Sequence, residues 1–368
     1  DRLIEAREAR GLTITELAEM IEISHQAISK YEKKKAVPSY DTLEKLSMVL
    51  KLPTTYFYKI LEPRKELVVF FRSKSIATVK SKKVHENKIY WIQDIFEYLQ
   101  TFLDFPEVNV PRYITRETYI PTDFEKIDQM ALDVRKMWGL GNGPISNVVL
   151  LLEKMGIIIG RSPFSNYSID ACSRWEIGRH PFILLSDDKT AARSRFDVAH
   201  ELAHLVLHSS IKPSEFNKKE NYKLIEKEAH RFAGAFLLPA SSFGSEIVSS
   251  EIEHFIALKK RWKVSIQAMV YRATKLGILS DYQHIYIRQR LAKNNQLTKE
   301  PLDDVLTFEE PSALKQAILA LLEHKIKTKQ DIVTELSFSH GEIEEFSNLD
   351  RNYLLPFETT NVIQFKLK

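Results

Sequence analysis

The chain has 368 residues, 44% of them hydrophobic, enough to bury more than one core and to form two or three domains. A formal net charge of +4 and a pI near 8.8 are too mild to mark a nucleic-acid binder on charge alone. A single cysteine, Cys172, excludes an intrachain disulfide and reads as a small core residue before it reads as a nucleophile; no apolar run reaches membrane-spanning length and no secretory leader is visible, so a cytoplasmic location and no membrane partner are expected.

From the amino terminus, Leu3, Ala6 and Leu12 precede Leu17, Ala18 and Ile21; Ile23-Ser24 then turns into Ala27, Ile28 and Tyr31. After Pro38-Ser39 come Leu43, Leu46, Leu50 and Leu52. Apolar positions at helical spacing over some five short helices predict an all-α unit within residues 1–60. The segment resembles the Xre/Cro-like helix-turn-helix domains over nearly its whole length. That resemblance implies an operator-like DNA duplex as partner, with Ser24 opening the recognition helix. His25, Gln26, Ser29 and Lys30 then face base edges and phosphates, while Ile28 and Tyr31 face the core. A departure is Ile14, where the family often has glutamine. The competing view is a protein–protein module of the same shape. A palindromic operator would call for a homodimer, although no segment marks an obvious dimer interface.

Residues 61–124 are expected to be a basic linker and helical connector. Lys33-Lys34-Lys35 and then Arg64, Lys65, Arg72, Lys74, Lys80, Lys82, Lys83 and Lys88 concentrate positive charge that can neutralise phosphates, and a solvated linker would look the same. Ile89, Ile92, Phe96, Leu99 and Leu103 predict one long helix, and residues 106–111 then lead into the next unit.

That unit contains His200-Glu201-Leu202-Ala203-His204, an H-E-x-x-H. Histidines four positions apart stack on one helical face about 6 Å apart along the axis, so both rings can reach one Zn2+ ion, and Glu201 can take a proton from the attacking water. The pattern also arises by chance, but Phe196, Ala199, Leu202, Ala203, Val206 and Leu207 predict a helix buried on one side, where such polar groups need a partner. A third ligand is best supplied by Glu226, on the face of a second predicted helix shared with Ala229 and Ala233. Glu228 is the runner-up. His208 competes, but a regular helix carries it about 12 Å along the axis from His200, so a packing role is expected. His230, one turn past Glu226, is either a residue that orients a ligand or a surface polar group.

Arg195 to Ala199 leading into this motif, the Glu226-x-x-Ala229-x-x-Phe232-Ala233 run and Leu237-Leu238-Pro239 together resemble the ImmA/IrrE family of metallo-endopeptidases. The similarity extends upstream to residues 169–173 and 181–185 and downstream to 261–265, covering roughly residues 125–280. It implies an α+β zincin-like peptidase core, placed at 125–245, with His200, His204 and Glu226 as zinc ligands and Glu201 as general base. His230 stands where the family usually has asparagine. Residues 182–185 are expected to form a strand just before the active helix; as a sheet edge it would dock a peptide, and otherwise it is an ordinary buried strand. Arg193 and Arg195 are candidates for polarising a carbonyl or binding a carboxylate, with a structural salt bridge as the common alternative.

Residues 246–368 are expected to be a helical carboxy-terminal region. Residues 328–340 overlay residues 13–25 without a gap, with Ile332 on Leu17, Leu336 on Ile21, Ile343 on Ile28 and Phe346 on Tyr31. This suggests a second helix-turn-helix-like unit, and helical periodicity alone would give the same match. Glu342, Glu344 and Glu345 would repel phosphates, so an interaction or sensor module is expected there. The whole is read as a multidomain, DNA-binding, zinc-dependent endopeptidase that regulates transcription by cleaving a helix-turn-helix repressor or antitoxin-like regulator. The rivals are a transcription factor with a non-catalytic peptidase-like sensor and a member of a toxin–antitoxin pair.

Overall fold

The amino-terminal helices are α1 (Arg2–Ala9), α2 (Ile14–Met20), α3 (His25–Glu32) and α4 (Tyr40–Leu50), and side-chain caps start the last three. Thr13 and Glu16 form a reciprocal capping box on α2, Ser24 accepts from the Ala27 amide on α3, and Ser39 caps α4 in the same way. In this computed structural model, which describes residues 1–61, 67–73, 78–163 and 169–355, Leu17, Ile21, Ile28, Leu46 and Leu50 are buried together as their spacing requires. A 3-10 turn, Thr54–Tyr58, closes the unit and buries Tyr56.

The next segment departs from a linker. After β1 (Phe70–Ser73), the helix α5 (Val79–Gln100) runs for 22 residues with Ile89, Trp91, Ile92, Ile95, Phe96 and Leu99 buried. Following α6 (Phe124–Met137) and α7 (Val148–Lys154) come β2 (Ile158–Ser162), β3 (Ile169–Arg174) and β4 (Phe182–Ser186). The four-stranded mixed sheet has the order β1-β3-β4-β2, with β2 and β4 parallel and the other pairs antiparallel. The 182–185 strand is therefore internal, and β1 and β2 form the edges; its unbroken apolar run suits a strand covered on both faces. Phe182 and Leu184 join a back core with α5, whereas Ile183 and Leu185 join a front core with α8 (Ala191–Ala203). Gly160 allows α5 to close on β2, since a Cβ there would lie 2.5 Å from Ile92 Cδ1.

The front layer continues with α9 (Pro213–Phe216), α10 (Lys219–Leu237), α11 (Ala240–Ser245), α12 (Ile252–Trp262), α13 (Ile266–Lys275) and α14 (Asp281–Lys293). The chain then returns to the back of the sheet with α15 (Ala313–Glu323), α16 (Lys329–Leu336) and α17 (His340–Phe346). Thr328 forms a capping box with Asp331 and Ser339 caps α17, matching the caps of α2 and α3. Ile332, Leu336, Ile343 and Phe346 are buried, as the overlay with the first helix-turn-helix expects. The acidic residues of α17 point to protein groups: Glu342 pairs with Arg10, Glu345 with Lys88, and Glu344 accepts from the Asn352 and Leu354 amides.

The basic stretch is likewise engaged internally. Arg72 pairs with Asp197, Lys80 with Glu16 and Lys83 with Glu86, while Lys82 lies over the Phe71 ring. Pro63, Arg64, Lys65 and Lys74 lie outside the described residues. No helix among the described residues is long and apolar enough to cross a membrane.

Candidate metal centre

The front of the sheet carries α8, whose buried stripe includes Val198, Ala199, Leu202 and Ala203. Small residues on both sides, Ala199 and Ala203 on α8 and Ala229 and Ala233 on α10, let the two helices approach closely. His200 and His204 follow one another by a turn, with Nε2 atoms 3.1 Å apart. Glu226 of α10 places Oε2 3.3 Å from His200 Nε2 and Oε1 3.4 Å from His204 Nε2. Donors each about 2.0–2.2 Å from a tetrahedral zinc would stand roughly 3.3 Å from one another, so this spacing fits such an ion. The three side chains form a group able to hold a metal ion.

Below the histidines the helix widens into a π-helical turn, His204–His208. The regular helix expected from sequence is broken here. His208 is thereby brought beneath His204, with Nδ1 atoms 3.0 Å apart, and its Nε2 lies 3.0 Å from Glu228 Oε2. Glu228 Oε1 also accepts from the Tyr119 hydroxyl at 2.8 Å and the Thr122 amide at 2.7 Å. Burial lowers the His208 pKa below its ordinary value, favouring the neutral ring. A neutral His208 that donates from Nε2 to the carboxylate accepts at Nδ1, so His204 carries its proton on Nδ1 and turns the Nε2 lone pair toward the site. His208 and Glu228, each weighed from sequence as a rival ligand, instead bond in series to His204.

Electrostatics favour a cation at the same place. Burial, helped by the Arg72 charge, pushes the His200 pKa down to about 3, so its ring is neutral. Although burial opposes it, the His200 and His204 rings beside it hold Glu226 well below the ordinary carboxylate range. Glu201 behaves in the opposite way: burial raises its pKa well above the usual value, against the bond donated to Oε2 by Ser173 Oγ of β3 at 2.5 Å. Its Oε1 and Glu226 Oε1 are buried without a hydrogen-bond donor among the described residues. Such orphaned acceptors are costly unless something positive or protic meets them.

His200 and Glu226 line a cavity of about 380 Å³ bounded by Arg72, Asp170, Arg193, Asp197, His230 and Tyr271. It shares Arg72, Arg193, His230 and Tyr271 with a neighbouring cavity of about 450 Å³ that reaches His284 and Arg288, and no carboxylate among the described residues lines that second space. His230 therefore stands in the wall, its ring between Phe196 and Tyr271, and burial lowers its pKa to about 4. Arg195 is not brought to the cavity: it is buried, pairs with Glu309 and donates to the Ile145 carbonyl. The salt-bridge alternative holds for it, because its place on α8 faces α7 and the return chain. Arg193 does line the cavity. Sequence reasoning missed Ser173 and Tyr119, which meet the motif only through tertiary packing, and Asp197, one turn before His200 on α8, whose partner Arg72 comes from β1.

In the amino-terminal unit, His25, Gln26 and Lys30 of α3 are exposed and Ser29 is half-exposed. Ser24 spends its hydroxyl on the α3 cap.

The two halves of this arrangement define a helix-turn-helix unit joined to a peptidase-type metal-site fold. Residues 3–57 match the helix-turn-helix family model, and residues 152–274 match that of the peptidase M78 family, described as an IrrE N-terminal-like domain. The chain thus carries a helix-turn-helix DNA-binding domain fused to an IrrE-like peptidase domain. A solved structure of a Mycobacterium tuberculosis transcriptional regulator is similar at 15% identity and a TM-score of 0.30, over 51% of this chain and 51% of that one. The chain thus spans about half the length of that structure. No curated protein matches the chain.

Proposed function

We propose that the chain is a DNA-bound, zinc-dependent endopeptidase of the cytoplasm that cleaves a protein regulator, a helix-turn-helix repressor or an antitoxin-like protein. The observation that carries this reading is the convergence of His200 Nε2, His204 Nε2 and Glu226 within 3.4 Å of one another, beside a buried glutamate of raised pKa. His200, His204 and Glu226 would hold the zinc ion. When bound, zinc supplies Lewis acidity toward a peptide carbonyl and a water molecule.

The remaining chemistry belongs to the chain. Glu201, ionised once a cation stands nearby, takes a proton from the attacking water as its oxygen bonds to the carbonyl carbon. It returns that proton to the leaving amine nitrogen as the C–N bond breaks, so the glutamate ends as it began. Ser173 holds the carboxylate through Oε2 and leaves Oε1 for this exchange. Burial of the site excludes bulk water, and the raised pKa suits a group that must both accept and release a proton.

Glu201→Gln tests the proposal because it removes the base and keeps the ligands. Zinc-loaded parent protein, incubated with the repressor encoded beside it, is expected to give two fragments by mass. The variant should bind the same amount of zinc and cleave about two to four orders of magnitude more slowly. Equal cleavage by both would reject the mechanism. A second reading, in which the peptidase domain docks a regulator without cutting it, is favoured by the cover that Phe70 places over His204. In that case Glu201→Gln would relieve repression as well as the parent does.

A further inference from the structure

Strand β1 lies outside the stretch that matches the IrrE-type family model, which begins at residue 152, yet it completes the sheet by antiparallel pairing with β3. The edge of β3 would otherwise present a row of unpaired amides and carbonyls, and an extended segment that pairs with it must lie where β1 lies. Three contacts set β1 against the cation site. Phe70 stands opposite Ser173, the residue bonded to Glu201. Its ring lies flat on His204, with centroids 4.5 Å apart and planes 9° from parallel. Arg72 reaches Asp197 at 2.6 Å and forms part of the wall beside His200 and Glu226.

We infer that the outer edge of β3 is the peptide-docking surface of the cation site, and that residues 70–73 are its resident occupant, held where an incoming strand would lie. The outside partner is an extended peptide of the same chemistry, with an aromatic residue over His204 and an arginine two positions on against Asp197. Two strands cannot share one edge, so docking of that peptide requires β1 to leave. The inference rests on the proposed peptidase activity for the fate of the docked strand, but binding alone reports the docking.

The experiment uses the full chain and a fluorescein-labelled peptide with the sequence of residues 67–73. Arg72→Glu places a carboxylate against Asp197 and should loosen β1, so that the variant binds the peptide about tenfold or more tighter than the parent. Phe71→Cys supplies the opposite state, because Phe71 faces Cys172 across the two strands and a disulfide there locks β1 in place. Oxidised Phe71→Cys should bind no peptide and should regain the parent's affinity on reduction. Hydrogen exchange of the 169–174 amides should be slowed by the lock and quickened by Arg72→Glu.

Failure of the disulfide to form in folded protein would overturn the inference, as would equal peptide binding by the oxidised and reduced forms. Should Arg72→Glu not fold, the disulfide pair decides alone. Peptide capture that follows this pattern without any cleavage would leave the docking intact and reject the peptidase reading; cleavage that ignores the lock would do the reverse.

Discussion

His208 bonds His204 rather than any ion, and this gives it a distinct signature. Removing a group that fixes the tautomer of a metal ligand typically lowers metal affinity about 10- to 100-fold. His208→Ala is therefore expected to weaken zinc by that factor in a chelator competition, with the fold unchanged by circular dichroism; unchanged affinity would reject the orienting role. Lys259 has a different role. It is wholly buried between Glu300 at 2.9 Å and Asp303 at 2.6 Å, and Lys259→Met leaves two buried carboxylates without their cation. A loss of about 3–5 kcal/mol in denaturant unfolding is expected. At this scale the H-E-x-x-H and Glu226 were legible, because helical spacing fixes which side chains share a face. His208's role was not, since it depends on a π turn that no residue type announces, and the salt-bridge alternative for Arg195 could not be chosen over a site role because its partner, Glu309, lies far along the chain.

Helix α5 shows how an element can be recognised while its place is not. Its apolar period was readable, but the lysines around its start read as a linker because their partners, Glu16 and Glu345 among them, come from distant segments. In the fold it backs the sheet, and Trp91 donates to the Tyr56 hydroxyl at 3.0 Å from inside the core. Trp91→Ala should cost about 3–5 kcal/mol, read as a lower denaturant midpoint. The same helix carries a pH dependence. Burial pushes the His85 pKa down to about 4 from an ordinary 6.5, so between these values the unfolded chain binds a proton that the native one refuses. Stability is then fully present above pH 6.5 and falls as pH drops toward 4, by up to about 3 kcal/mol. His85→Asn should flatten that part of the stability–pH curve; an unchanged slope would remove His85 as its source. The strand at 182–185 was readable as a strand, but its internal position was not, because sheet order is set by β1 joining from a segment of only four paired residues.

For the whole molecule, domain limits drawn on the sequence and cores formed in space follow different lines. The first helix-turn-helix, α5, the back of the sheet and α15 to α17 bury one continuous cluster. Calorimetry of the intact chain is therefore expected to give the amino-terminal helices and the sheet the same melting transition, not a separate early one. Charge at this scale divides the same way. Lys30 is exposed on α3, whereas Lys80 and Lys83 already have carboxylate partners. Lys30→Ala should reduce the salt dependence of DNA binding by about one counterion, and substitutions at Lys80 and Lys83 should leave that slope nearly unchanged. The caps at Thr13/Ser24 and Thr328/Ser339 repeat, as the overlay of the two segments expects. The inward docking of the second segment was foreshadowed only by its acidity.

Arg10 joins three parts of the chain: it donates to the Leu50 carbonyl, lies over Trp91 and pairs with Glu342. A rivet of this kind removes the free swing that a tether would give. With α3 seated in a groove, the cleft would be held at one fixed offset from that duplex, and a target of the kind proposed would be met only where its own position matches that offset, with no gain in local concentration from slack in a linker.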